Sequence, residues 1–219
     1  MKSILSSQDR NRLEQRIADA EKRTSAQIVL AVVRRSDVYA ELPWIAFALG
    51  ASLTGLAVVL ADAFSSDWPS RSALLVQVAS ILGVGALLAL LTVLIPGFAR
   101  FFLAGHRAET EVRQYAESLF LRKELAATAG RTGLLLLVSL FERRVIVLPD
   151  KGLDPRLAGG EMRAVITGMK PLLADGEWTR ALDTGLDRLI EALESSAKGG
   201  PEGAGRNELG DQIIEEKGV

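Results

Sequence analysis

The chain has 219 residues and a formal net charge of −1; hydrophobic residues make up 48% of it and charged residues 24%. The net charge of −1 and the lack of a basic stripe with interleaved aromatic residues argue against nucleic-acid binding. The absence of cysteine excludes disulfides, cysteine nucleophiles and thiolate metal sites. The N-terminal segment lacks the apolar stretch of a cleavable signal peptide, so we expect none.

Residues 1–40 are predicted to be the first part of an α/β domain. Ser7–Thr24 carries apolar residues at helical spacing behind a serine that can cap the first turn, which predicts a helix. Residues 26–33 (AQIVLAVV) are rich in β-branched side chains and bounded by polar residues, which predicts a strand buried on both faces.

Two long uncharged segments follow. Residues 45–61 and 73–99 contain no charged side chain. A helix of about 20 apolar residues crosses the hydrocarbon core of a bilayer. The alternative is a pair of buried core helices, but the remaining chain is too short to surround them. We therefore predict a transmembrane helical hairpin over residues 41–103, with helices at about 44–64 and 73–99 and the lipid bilayer as a partner.

Charge and residue size add detail to this hairpin. Small residues recur at four-residue spacing, which lets helices approach closely; the pairs are Ala51–Gly55, Ala79–Gly83 and Gly85–Ala89. Five arginines lie near the outer ends of the hairpin: Arg34, Arg35, Arg100, Arg107 and Arg113. The connecting loop contains only Arg71. The positive-inside rule therefore predicts a multi-pass protein of a bacterial-type inner (plasma) membrane, with both termini and the α/β domain in the cytoplasm.

Residues 104–196 are predicted to complete the α/β domain. Hydrophobic periodicity predicts an amphipathic helix, a hairpin of two strands and two further helices. These elements are residues 109–125, 134–140, 145–150, 161–173 and 179–195. Glycine and charged residues dominate residues 197–219, which predicts a disordered tail.

Four motifs follow one another in a recognisable order. They are Glu21, Thr24, Gln27 and Ile28; Gly133–Leu137 with Glu142 and Arg143; Gly152 and Leu153; and Gly176, Ala181 and Gly185. This order resembles the TPM-domain family, which is named for a thylakoid lumen protein, a photosystem II repair factor and a worm receptor modulator. The resemblance covers roughly residues 7–33 and 106–195.

The resemblance implies a small α/β sheet with helices on both faces. It also implies a family in which acid phosphatase activity, divalent-metal binding and assembly or repair of membrane complexes have each been proposed. This chain departs from the family pattern by inserting the hairpin after the first strand. It also has Asp150 where many members have a glycine-containing turn.

Candidate chemistry is confined to oxygen ligands and charged groups, because the chain has one histidine and no cysteine. Asp150 ends a buried strand and Asp154 lies in the same loop, so the two carboxylates are candidate ligands for calcium or magnesium. Their alternative role is local, in forming the turn.

Four further residues are candidate contacts for an anion or a partner: Glu21, Thr24, Arg131 and Thr132. The alternative is that Thr24 satisfies groups at a helix end and that Arg131 and Glu142 are solvated charges.

Two function classes remain open. The first is an interaction or assembly and maintenance module that the hairpin anchors to a membrane, with a membrane protein as its partner. The alternative is a metal-assisted acid phosphatase. The single histidine and the lack of a dense carboxylate cluster favour the interaction module.

Overall fold

The computed structural model describes residues 5–24, 26–65, 70–128, 130–153, 157, 160–197 and 213–218. Its contacts divide the chain into two compact units. We call Met1–Asp37 with Ala108–Val219 the α/β unit, and Val38–Arg107 the helical unit.

The secondary structure follows the predicted order, with three additions: a short helix after the second apolar helix, a 3₁₀ turn before the second strand and a strand at the C-terminus. The elements are α1 Ser7–Thr24, β1 Gln27–Val33, α2 Glu41–Ala63, α3 Arg71–Leu94, α4 Pro96–Phe101, α5 Gly105–Arg122, a 3₁₀ turn Leu125–Ala127, β2 Gly133–Ser139, β3 Arg144–Pro149, α6 Gly160–Asp175, α7 Trp178–Ala197 and β4 Ile214–Glu216. Helix α1 begins behind Ser6, whose hydroxyl accepts a hydrogen bond from the Asp9 N–H.

A four-stranded sheet in the order β3–β2–β1–β4 forms the centre of the α/β unit. Strand β1 pairs in parallel with both β2 and β4, whereas β2 and β3 are antiparallel. The register pairs Gln27 with Gly133 and Val33 with Ser139. The two central strands therefore come from opposite sides of the inserted helices in the sequence.

Helices cover both faces of this sheet. One apolar core joins α1, α6 and α7 to one face, and a second core joins α5 to the other. Every residue of β1 and β2 is buried, as expected of strands that are covered on both sides. The predicted fold class is confirmed: a small sheet with helices on both faces, interrupted in sequence by two long apolar helices.

Among the described residues, two helices are long and apolar enough to cross a membrane, and both lie in the helical unit. Only 11% of the most apolar window of α2 and 6% of that of α3 is buried within the structure. These helices are therefore not the buried core of a soluble fold, which was the alternative to a membrane hairpin.

Helices α2 and α3 approach each other through two glycines. A Cβ atom added to Gly50 would lie 3.2 Å from the Gly85 Cα, and one added to Gly85 would lie 3.0 Å from the Phe47 carbonyl oxygen. One residue of the predicted small-residue pair Gly85–Ala89, Gly85, thus lies at the contact between α2 and α3. Gly83 has no neighbour within 4 Å of an added Cβ among the described residues, so it does not mediate close packing.

The predicted end of the second apolar helix requires correction. The second apolar helix was predicted to reach residue 99, but α3 ends at Leu94 and α4 starts at Pro96. Pro96 has no N–H, and it forces the preceding Ile95 into an extended conformation, so it starts a new helix.

The prediction of a disordered tail is wrong for Ile213–Gly218, because β4 lies within it. The prediction used the composition of the whole tail. That average does not show the adjacent Ile213 and Ile214, which belong to the segment that pairs with β1. The rest of the predicted tail after α7, residues 198–212 and 219, lies outside the described residues.

Candidate functional site

Asp150 lies directly after β3, at the edge of the sheet where β1 and β2 begin. Its N–H donates to the Gly133 carbonyl oxygen at 2.8 Å. Because β3 is antiparallel to β2, its carboxyl end meets the amino ends of the parallel strands. The general rule that ligands bind beyond the carboxyl ends of parallel strands therefore does not apply to Asp150.

The loop after Asp150 is held tightly against the segment that enters β2. The Gly152 N–H donates to the Arg131 carbonyl oxygen at 2.8 Å. A Cβ atom at position 152 would lie 2.1 Å from the Gly130 carbonyl oxygen. Only glycine allows this close approach, which explains Gly152 within its motif.

Asp150 and Arg131 are brought together by this arrangement. The Asp150 side chain is 7% exposed, and the Arg131 Nε lies 3.9 Å from its Oδ2. The Lys151 N–H donates to Asp150 Oδ1 at 2.8 Å. Arg131 has a φ of 52°, in the left-handed region that is unfavourable for a non-glycine residue.

Asp150 Oδ2 is buried and has no hydrogen-bond partner among the described residues. A buried carboxylate oxygen of this kind can bind a cation or accept a hydrogen bond from a ligand. Calcium takes six to eight oxygen ligands, however, and the described residues contain no group of three or more acidic or histidine side chains placed to hold a metal. The Arg131 guanidinium beside this oxygen favours an anion over a cation.

Asp154 lies outside the described residues. The predicted metal site at Asp150 and Asp154 therefore stays a prediction.

Thr132 lies beside Arg131, and its main chain fixes the start of two strands. Its N–H donates to the Thr128 hydroxyl at 3.1 Å. Its carbonyl oxygen accepts a hydrogen bond from the Gln27 N–H at 2.9 Å, which joins β2 to β1. Thr132 is thus next to the Asp150–Arg131 pair. These two hydrogen bonds satisfy its backbone N–H and carbonyl groups.

Glu21 and Thr24 lie away from Asp150. The buried Glu21 accepts a hydrogen bond from the Ile28 N–H at 2.6 Å. Because the Gln27 N–H points towards β2, the Ile28 N–H points towards the opposite edge of β1. The Thr24 hydroxyl donates to the Ala20 carbonyl oxygen within α1.

A second polar cluster, which the sequence did not reveal, lies at the carboxyl ends of β1 and β2. Its centre is the buried carboxylate of Glu142. Glu142 Oε1 accepts from the Ser36 N–H at 2.9 Å and from the Ser36 hydroxyl at 2.6 Å. The Ser139 hydroxyl donates to Glu142 Oε2. Since Ser36 and Glu142 are 106 residues apart, no local pattern could have placed them together.

Residues 100–192 match the family model of the TPM domain. The chain contains a TPM domain. The predicted resemblance to the TPM-domain family is thereby confirmed for α5 and for the elements from β2 to α7. Helix α1 and strand β1 lie outside the matched TPM residues, yet β1 forms the centre of the sheet.

A solved structure shares this fold. The NMR structure of the BA42 protein from the psychrophilic bacterium Bizionia argentinensis superposes with a TM-score of 0.56 at 13% sequence identity. The match covers 99% of this chain and 98% of that chain. At this level of identity the likeness is evidence of the fold alone. No curated protein matches the sequence.

Proposed function

We propose that this chain is a membrane-anchored TPM module that binds a membrane protein and helps to assemble or maintain its complex. The observation that carries the proposal is that only 11% of the most apolar window of α2 and 6% of that of α3 is buried within the structure. Large apolar surfaces of soluble proteins are normally covered. A bilayer covers both helices, and it holds the α/β unit beside other membrane proteins.

The hydrogen bonds of the buried acidic groups support a binding role. Glu21 and Glu142 both accept hydrogen bonds from backbone N–H groups. These carboxylates hold strand ends and loops in place.

The distribution of arginines supports a cytoplasmic α/β unit. Arg34, Arg35 and Arg107 lie in sequence near the outer ends of the two apolar helices, whereas the inner ends have a single arginine, Arg71, at the start of α3. The native chain has no cysteine, so Lys2→Cys and Trp68→Cys are clean topology probes. An impermeant thiol reagent applied to intact cells should label the cysteine at position 68 and not the one at position 2; the reverse result would contradict the orientation.

Affinity purification from native membranes tests the binding role. The full chain with an N-terminal tag should recover a membrane protein reproducibly, while the tagged helical unit, residues 38–107, should not. Recovery of the same proteins with both chains, or of none with the full chain, would contradict the proposal.

A second candidate function is phosphoester hydrolysis. It is favoured by the buried Asp150 Oδ2 beside Arg131, whose planar guanidinium suits phosphate oxygens. The family model that matches residues 100–192 is named TPM phosphatase. In this reading Arg131 would bind and orient the phosphate, and Asp150 would hold the guanidinium in place.

A further inference from the structure

Strand β4 forms one edge of the sheet, beside β1. It pairs Ile214, Glu215 and Glu216 with Ala31, Val32 and Val33. The Arg34 N–H continues the ladder by donating to the Glu216 carbonyl oxygen at 3.2 Å. Residues 198–212 separate α7 from this segment, so the strand docks on β1 as a distant part of the chain.

Side chains on both faces of the sheet contact this segment. Ile213 is buried in the core formed with α1, whereas Ile214 packs against the core formed with α5. An extended peptide that joins a sheet edge is recognised in this way, by main-chain pairing and by alternating pockets for its side chains.

The acidic residues of β4 meet a cation on each face. Arg10 of α1 donates to Glu215 Oε1 at 2.5 Å. On the other face Arg122 Nη2 lies 2.9 Å and 3.1 Å from the two carboxylate oxygens of Glu216. The Tyr115 hydroxyl also donates to Glu216. Charge and shape together therefore select two apolar residues followed by two acidic ones.

Gly218 closes this contact in a conformation that excludes other residues. Its φ is +78°, and an added Cβ atom would lie 1.6 Å from the Arg35 carbonyl oxygen. A side chain here would have to move the backbone of the segment away from Arg35.

We propose that the β1 edge is a groove for an extended peptide of another protein that carries two branched apolar residues followed by two acidic ones. Residues 213–218 are its resident ligand, and they regulate access by competing for the same contacts. The resident strand has three residues, the lower end of the usual range of strand length, so few main-chain hydrogen bonds must break for it to exchange. The inference rests on the proposed binding role and names the chemistry of the partner.

The test uses the full chain in detergent micelles and a fluorescent synthetic peptide with the sequence of residues 211–219. Gly218→Val should release the resident segment and increase peptide affinity at least about tenfold over the wild type, because a tethered segment competes at a high effective concentration. The matched control is Lys217→Ala, which alters an exposed neighbour and should behave as the wild type. If Gly218→Val fails to fold by circular dichroism, Glu216→Lys releases the segment through charge repulsion from Arg122.

Reversing the charge of Arg10 tests whether the groove recognises the acidic residues of the peptide. In the Gly218→Val background, Arg10→Glu should abolish binding of the native peptide and restore binding of a peptide with Glu215→Lys. Equal binding of native and charge-reversed peptides, or no gain over Lys217→Ala, would overturn the proposal. Exchange of the segment between full-length copies without binding of free peptide would also overturn it. Failure here with a partner still recovered from membranes would leave the binding role standing and remove only the groove.

Discussion

Glu142 holds Ser36 through two hydrogen bonds, from the Ser36 N–H and from its hydroxyl, across 106 residues of sequence. The contact joins the end of β1 to the turn after β2, so the residues before and after the inserted helices share one polar cluster. Replacing Glu142 with alanine leaves both Ser36 donors and the Ser139 hydroxyl without their acceptor. We expect this to lower the free energy of unfolding by about 2–4 kcal/mol.

Thermal unfolding in detergent micelles, followed by circular dichroism, measures the effect of Glu142→Ala. The matched control is Glu117→Ala, on the exposed side of α5, which should change stability by about 0.5 kcal/mol or less. Equal effects of the two substitutions would mean that the cluster does not stabilise the domain.

The helical unit offers a test in which the two substitutions lie two residues apart. Gly85→Leu must displace Phe47 from its contact with α3, whereas Gly83→Leu enters open space among the described residues. Titration with sodium dodecyl sulfate in mixed micelles reports the loss of helix packing. We expect Gly85→Leu to unfold at a lower detergent fraction than the wild type, and Gly83→Leu to match the wild type or exceed it because leucine is the better helix former.

Alkaline pH tests the contact between Tyr115 and Glu216. Burial, and then the hydrogen bond to the Glu216 carboxylate, raises the pKa of Tyr115 from 10.0 to about 12. The neutral phenol is therefore favoured in the folded state. Its stabilisation is fully present below pH 10 and is lost as the pH rises to 12. The stability difference between the wild type and Tyr115→Phe should shrink over this range, as measured by thermal unfolding at successive pH values; a constant difference would contradict the contact.

Asp150 separates the two candidate functions. If the phosphatase activity exists, Asp150→Asn should lower the hydrolysis of p-nitrophenyl phosphate by the purified chain, while Asp175→Asn, which alters an exposed residue of α6, should not. Under the binding role we expect no hydrolysis above an empty-vector preparation. Robust turnover that Asp150→Asn abolishes would favour the phosphatase.

Calcium-dependent stabilisation tests the predicted metal site without assuming an activity. A ligand that binds only the folded state raises the melting temperature. A rise with calcium that Asp150→Asn removes, and Asp175→Asn keeps, would support a site that includes Asp150. An unchanged melting temperature of the wild type would contradict it.

The elements of this fold follow from local patterns. Helix α1 occupies the predicted residues, Ser7–Thr24, and β1 and β2 differ from prediction by one residue at one or both ends. Buried parallel strands are nearly continuous apolar runs, and such runs are visible in a sequence without any partner. The packing of α2 against α3 was predictable only as a tendency, because many small residues have the required spacing and the structure uses Gly50 with Gly85.

The polar sites depend on strand pairing, which the sequence does not specify. Asp150 and Arg131 meet because β3 runs antiparallel to β2, and Glu142 is buried because Ser36 comes from the other side of the insert. The strand Ile214–Glu216 was missed because its pairing partner, β1, lies about 180 residues earlier in the sequence. Each of these contacts is set by tertiary structure rather than by local pattern.

The central claim is that α2 and α3 anchor the α/β unit in a membrane, and extraction at alkaline pH tests it most directly. Membranes from cells that express the full chain are washed with sodium carbonate, and the same is done for a variant in which a short flexible linker replaces residues 38–104. The account predicts that the full chain stays in the pellet, while the linker variant is released and unfolds cooperatively. Release of the full chain into the supernatant would contradict the account.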